Sequence, residues 1–303
     1  LPRRGMRTES EYEDILRQNA RLQLIEEISE HKKELFALFA DMQEISVAVS
    51  GGIDSITLAM LAHQTPNVSA RMYHAVSPAV PRQATQRVKQ LALEFDWDLQ
   101  ILNAQEFQDE GYLSNPVNRC FFCKTNLYKA ISTLTEGVIF SGANMDDLSD
   151  YRPGLQAARN ASVRHPFVEM GIDKKMVRAI AKQTGLEHLS ELPSSPCLSS
   201  RVETGIRIDP DLLPLINEVE LLIKQLLSPE PKTVRCRIRA HGLVVELDHE
   251  AAGRLTPHKK EILREKIAQV FRVKDHKYPV RFEEYKIGSA FIHLQPMGTV
   301  KAQ

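Results

Sequence analysis

The feature that most constrains the fold is a change of rhythm between residues 44 and 63. Glu44-Ile45-Ser46-Val47-Ala48-Val49-Ser50 is an apolar, β-branched run of strand length, and it passes directly into Gly51-Gly52 and a helical stretch from Asp54 to about His63. A continuously apolar strand that turns straight into a helix belongs to a sheet covered on both faces. The alternation continues, with strand patterns at 68–76, 98–101 and 138–141 and helical patterns at 82–95, 124–133 and 173–184. Strand and helix in turn predict an α/β fold with a parallel sheet and helices on both sides.

Two flanking regions have a different character. From about Glu9 to Phe39, Leu16, Leu22, Leu24, Ile25, Ile28, Leu35 and Leu38 recur among charges, which predicts two amphipathic helices covering the core. After Arg201 comes a helical stretch at 211–227, then the proline-rich Ser228-Pro229-Glu230-Pro231 and two strands around Ala240-His241-Gly242. A helix at 259–271 and a strand at 280–285 complete the order. That α-β-β-α-β order predicts a smaller C-terminal α+β domain on an antiparallel sheet. The expected division is a helical lead at 1–40, a nucleotide-type domain at 41–206 and the smaller domain at 207–303.

Composition narrows the function classes. The 303 residues carry 39 basic and 39 acidic side chains, so no global positive field favours a long nucleic acid, whereas a small anion needs only a local patch. No apolar run approaches the roughly 20 residues that span a bilayer, and Leu1-Pro2-Arg3-Arg4-Gly5-Met6 lacks the apolar stretch of a secretory signal. A cytoplasmic protein without a membrane partner is expected. Four cysteines in a chain of this length do not read as a disulfide framework.

Four local patterns carry chemistry. At Ser50-Gly51-Gly52-Ile53-Asp54-Ser55, a strand turning into a helix presents backbone N–H groups at the positive end of the helix dipole, a phosphate site. Gly51 and Gly52 let the backbone approach the anion, Ser50 and Ser55 add hydroxyl donors, and Asp54 suits a Mg²⁺ ion. The segment from Ser141-Gly142 to Asp150-Tyr151-Arg152-Pro153-Gly154 follows a predicted strand and so lies at the carboxyl edge of the sheet, where open parallel sheets bind ligands. Cys197 stands among hydroxyl residues and Arg201 in Ser194-Ser195-Pro196-Cys197-Leu198-Ser199-Ser200-Arg201, a polar setting that favours thiolate. Lastly, Arg235, Arg237 and Arg239 alternate with Val234, Cys236 and Ile238, which sends the arginines to one strand face and Cys236 to the core. Such an array suits a phosphate or protects an edge strand by charge.

The first pattern is not a Walker loop, since no Gly-Lys-Ser/Thr follows it. It resembles the SGGxDS loop of the PP-loop ATPase superfamily, which implies ATP cleavage between the α- and β-phosphates and ATP contacts from Ser50, Gly51, Gly52, Asp54, Ser55, Gly142, Asp150 and Arg152. Together with the Asp146–Gly154 segment and Pro196-Cys197-Leu198-Ser199-Ser200-Arg201, it is similar to the LarE family of ATP-dependent sulfur transferases over roughly residues 20 to 250. That resemblance implies that ATP adenylates a carboxylate of a pyridinium dicarboxylate mononucleotide, and that sulfur then replaces the activated oxygen in nickel-pincer nucleotide cofactor synthesis. It makes Cys197 the sulfur-handling residue, Glu220 an acidic partner near it, and Arg201, Arg235 and Arg237 phosphate ligands. Homo-oligomers are implied as well.

Family members either sacrifice one cysteine or hold a 4Fe–4S cluster on three. Cys120 and Cys123 beside Cys197 resemble the three-cysteine style, which leaves one iron free to carry hydrosulfide. A zinc site with Cys236 or His165 as fourth ligand and unmetallated thiols stay open as alternatives. The tail from Tyr285 to Phe291 departs from the family's arginine-bearing glycine segment, which leaves the acceptor open. An amide-forming PP-loop ligase, a tRNA-thiolating enzyme and a nucleotide sensor are the competing readings.

Overall fold

The structure is a computed structural model and describes residues 9–148, 152–271 and 279–286. In chain order it runs α1 (Glu9–Ala40), β1 (Glu44–Ala48), α2 (Ile53–Gln64), β2 (Ser69–Ala75), α3 (Arg82–Phe95), β3 (Asp98–Leu102), α4 (Glu110–Leu113), α5 (Arg119–Ser132) and β4 (Val138–Ser141). Then follow α6 (Pro153–Asn160), α7 (Pro166–Glu169), α8 (Lys174–Lys182), α9 (Leu212–Leu226), β5 (Val234–Arg239), β6 (Gly242–Leu247), α10 (His249–Gly253), α11 (Pro257–Phe271) and β7 (Val280–Glu284).

The first sheet has the order β3-β2-β1-β4, and every pairing in it is parallel. Ile45, Val47 and Ala48 of β1 are buried, as the unbroken apolar run requires of a strand covered on both faces. From β1 the chain moves to β2 and β3 on one side, whereas β4 lies on the other. The strand order therefore reverses between β1 and β4, and the crevice beyond their carboxyl ends is the place where open α/β sheets bind ligands. The α/β architecture read from the sequence is the one observed.

The helical lead differs from expectation, being one 32-residue helix. No glycine or proline interrupts residues 9–40, so nothing breaks the backbone hydrogen-bond ladder. Its C-terminal half is anchored through Ile28, Leu35 and Phe39, which are buried against β1, α2, α8 and Phe140. Each such side chain contributes about 1.5–3 kcal/mol by leaving water. The N-terminal half leaves Leu16, Leu22 and Ile25 exposed.

The second sheet, β5-β6-β7, is mixed rather than antiparallel: β5 and β6 form a hairpin, but β7 runs parallel to β6. The long β6–β7 connection through α10 and α11 makes the parallel return possible. This sheet packs on α9 and α11 in a core that also takes Ala79, Tyr112 and Phe122 from the first half of the chain. Residues 198–208 are stitched to 112–115 by main-chain bonds of 2.9 Å from Ile208 to Leu113 and from Gly205 to Asn115. Among the described residues no helix is long and apolar enough to cross a membrane.

Candidate functional site

The loop after β1 is shaped by its own side chains. Ser55 donates through its hydroxyl to the Gly52 carbonyl (3.0 Å) and accepts the Ser50 N–H (3.0 Å), while the Ser50 hydroxyl lies 3.1 Å from it. Gly51 has φ +86°, a left-handed conformation that favours glycine, and a Cβ there would lie 2.9 Å from the Ala84 carbonyl oxygen. No side chain caps the N-terminus of α2, so its first-turn N–H groups face the crevice with the helix dipole behind them. Arg87 closes the outer side by donating to the Gly51 carbonyl at 2.7 Å.

The loop after β4 presses against this turn. A Cβ on Gly142 would lie 2.7 Å from the Ser55 nitrogen and 2.8 Å from the Asp54 carbonyl carbon, so only glycine allows the two loops to touch. Gly142→Ala is expected to cost about 1–3 kcal/mol, since a backbone must shift to admit the methyl group. Gly253→Ala, at a position with open space around it, should change little; urea unfolding of both proteins measures the difference.

Asn144 donates to Asp54 at 3.2 Å, and the Lys174 ammonium pairs with the other Asp54 oxygen. Arg152 pairs with Asp147 at 2.9 Å. Ser50, Gly51, Gly52, Asp54, Ser55 and Gly142 are thus brought to one crevice, whereas Asp150 lies outside the described residues. Asn144, Lys174 and Arg87 were not singled out from the sequence. The one available signal was Lys174, placed directly after Asp173, whose side chain caps α8 by accepting the Met176 N–H.

The helix carrying the two-cysteine motif begins five residues earlier than its apolar pattern indicated, so Cys120 and Cys123 lie one turn apart on α5. Cys197 stands at the head of a short 3₁₀ turn over Leu198–Arg201. The three thiols act on one another electrostatically: burial and then Cys197 raise the Cys120 thiol, and the same causes push Cys123 up to about 12. Cys120 nevertheless reaches solvent, and Cys123 and Cys197 are half-buried. Cys236 is fully buried in the second core, as its place in the strand alternation predicted.

Two cations flank the cysteines. Arg119 is buried and donates to Asn115, and its pKa is raised: burial opposes its charge, but Cys197, Cys120 and Tyr112 outweigh that effect. Lys124 lies with its ammonium 5.8 Å from the Tyr128 ring centroid. Tyr128 first, and then Cys123, Cys120 and Cys197 against the opposing effect of burial, raise its pKa. Among the described residues no carboxylate pairs with Lys124. Lys124 is half-buried, and the ring face stabilises its charge by about 0.5–2 kcal/mol. Glu106 Oε2 and His165 Nε2 are among the buried atoms that have no hydrogen-bond partner among the described residues. Glu106 acts on Cys123, and His165, whose pKa burial lowers, is acted on by Lys124 and Asp147.

The arginines and Glu220 gather around the Cys197 segment. Arg201 is 2% exposed and grips Glu220 with two bonds of 2.8 and 3.0 Å. Its remaining donors reach the Pro196 carbonyl (3.1 Å) and the Ser200 hydroxyl (2.9 Å). Arg235 donates to the Ser194 carbonyl at 3.3 Å, and Arg237 to the Ser200 carbonyl at 2.9 Å. The strand does not present a solvated row of charges. Arg237 and Arg239 are both buried against Glu246, at 2.8 and 3.2 Å, because residues 198–203 cover this edge of the sheet. Sequence spacing located the arginine row but could not reveal that its donors brace the cysteine loop.

No family model matches the chain. Against individual proteins, it is 24% identical over 226 residues to the uncharacterized protein MJ0830 of Methanocaldococcus jannaschii, covering 73% of this chain and 84% of that one. Over 229 residues it is 27% identical to the pyridinium-3,5-bisthiocarboxylic acid mononucleotide synthase of Lactiplantibacillus plantarum, covering 73% and 81%. This is a distant homologue, and it is an enzyme. The uncharacterized protein slr1717 of Synechocystis is 32% identical over 198 residues, 64% of this chain and 74% of its own length. At that identity and coverage, the chain belongs to the family of slr1717, with the bisthiocarboxylate synthase as a more distant relative.

Proposed function

We propose that the protein is an ATP-dependent sulfur transferase of the LarE kind, which adenylates a carboxylate of a pyridinium-3,5-biscarboxylate mononucleotide and replaces the activated oxygen with sulfur. The observation that carries this reading is the meeting of two halves. A phosphate-type helix N-terminus stands at the sheet's switch point, and the Cys197 segment is tied to the same carboxyl edge, Leu198 donating its N–H to the Ala79 carbonyl in the loop after β2 at 2.8 Å. The distant synthase supports the same substrate class.

In this reading the first turn of α2, Ser50 and Ser55 hold the pyrophosphate portion of ATP, and Asp54 exchanges the Lys174 ammonium for Mg²⁺. Lys174, then released, is placed to accompany the departing pyrophosphate. Arg201 and Arg237 keep the Cys197 segment in position, and Arg235 is the arginine of the set with the greatest access to a substrate phosphate.

In this reading Cys120, Cys123 and Cys197 are the residues that would hold a 4Fe–4S cluster. Among the described residues no three candidate ligands are drawn together tightly enough for a single metal ion. A cluster spreads its thiolate ligands over several irons and so accepts a wider arrangement. Arg119, whose charge acts on Cys197 and Cys120, would offset the negative charge of such a group. Bound there, the cluster would supply an iron without a protein ligand, able to carry hydrosulfide.

The test is ATP–pyrophosphate exchange driven by the biscarboxylate mononucleotide, followed by mass analysis of the nucleotide product. Exchange with a thiocarboxylate product is expected. Exchange driven by ammonia, with an amide product and indifference to cysteine alkylation, would replace this reading with an amide-forming ligase.

A further inference from the structure

The cleft contains a cation that neither the phosphate loop nor the cysteine loop uses. Lys124 follows Cys123 on α5, and a close packing contact with Gly154 at the start of α6 fixes the base of its side chain. Four residues after Cys120 on the same helix, Lys124 shares a helix face with that thiol, and its charge acts on Cys120, Cys123, Cys197 and His165, the last hydrogen-bonded to Ser141 at the end of β4 (3.2 Å). Its side chain thus joins the cysteine helix to the start of α6, the helix that follows the β4 loop. The described residues offer it the face of Tyr128 and no carboxylate, in contrast to Lys174, which is paired with Asp54. A half-buried cation with no carboxylate partner among the described residues is arranged for an anion that arrives with the substrate.

We propose that Lys124 is the anion-binding residue of the sulfur-transfer step, taking the negative charge that develops on the acyl oxygen as sulfur attacks the adenylated carboxylate. The assignment rests on the sulfur-transferase reading. In the step, an anionic sulfur at the cysteine site donates an electron pair to the acyl carbon and forms the C–S bond, and the carbonyl oxygen carries the charge. That pair then returns as the carbon–oxygen bond to AMP breaks, and AMP leaves with its electrons. No oxidant or reductant is needed. The charge builds and disappears on one oxygen, and a positive group enclosed by protein stabilises it far more than water would. A lysine suits this task because its ammonium is a compact charge on a flexible stem.

Wild type, Lys124→Met and Lys124→Arg are to be prepared anaerobically with iron and sulfide. In the resting proteins, iron and acid-labile sulfide content is measured, together with calorimetric binding of an unreactive acyl-sulfamoyl adenosine of pyridine-3,5-dicarboxylate. In the working proteins, ATP–pyrophosphate exchange and thiocarboxylate yield are measured. Lys124→Met is expected to keep its iron and its exchange rate, to bind the mimic about tenfold more weakly, and to transfer sulfur about a hundredfold more slowly; Lys124→Arg should recover part of the transfer. A methionine variant that matches an active wild type overturns the assignment. So does one that loses iron, exchange and transfer together, because the lysine would then be structural. A wild type that makes no thiocarboxylate under any condition overturns the parent reading and this assignment with it.

Discussion

Cys197→Ala is expected to abolish thiocarboxylate formation, by roughly a thousandfold or more, while leaving ATP–pyrophosphate exchange near the wild-type rate. The separation follows from where each function sits. Under the proposed function, exchange needs the α2 N-terminus, Asp54 and the β4 loop, and among the described residues none of these contacts the Cys197 side chain through a hydrogen bond. The cysteine loop holds its shape through the main chain: the Cys197 carbonyl accepts the Ser200 N–H at 3.0 Å and the Ser200 hydroxyl at 2.7 Å. Removing Sγ therefore deletes the nucleophilic or cluster-binding atom and leaves its framework standing. Cys120→Ala and Cys123→Ala refine the result. If the three thiols share a cluster, both variants lose iron and multiple turnover. If Cys197 alone is sacrificed, both keep a single turnover, and intact-mass measurement finds hydrogen sulfide missing from Cys197. An alanine variant that still forms thiocarboxylate would sink the assignment of Cys197.

How much of this was legible beforehand depends on the range of the forces involved. β1, α2 and the phosphate turn could be read because their determinants are local: a β-branched run, two glycines and an uncapped helix start within a dozen residues. The convergence of Cys120 and Cys123 with Cys197 was reached only through a family resemblance, since no local rule brings together positions 74 residues apart (197 − 123). The start of α5 was missed because a charged residue, Arg119, is buried there while Cys120 is exposed, which breaks the apolar period. The parallel pairing of β7 was missed because strand direction is set by how α10 and α11 cross, which the pattern of the strand itself does not encode. The arginine row shows the same limit. Alternation placed Arg235, Arg237 and Arg239 on one face, but whether that face meets water or Glu246 depends on residues 198–203, which come from outside the hairpin.

The buried pair beneath the cysteine loop should be the most fragile point of the second core. Glu220→Gln removes the carboxylate that pairs, among the described residues, with an Arg201 guanidinium almost wholly out of water, while the amide oxygen can still accept the Cys236 N–H now held at 2.9 Å. The expected cost is about 3–5 kcal/mol, because the loss is the exposure of an uncompensated charge rather than of one hydrogen bond. Urea unfolding should show a lower midpoint at an unchanged slope, the signature of lost stability rather than of a more compact denatured state. Removing the charge as well, in Arg201→Met/Glu220→Gln, should return most of that stability, since a methionine fills the space of the arginine stem and no buried ion remains. It should not return function, because the bonds from Arg201 to Pro196 and Ser200 that hold the Cys197 segment are gone. A double variant that folds like the wild type and transfers sulfur like it would show that Arg201 and Glu220 serve the core alone; one that folds but fails in transfer, with exchange preserved, makes the pair the support on which Cys197 depends.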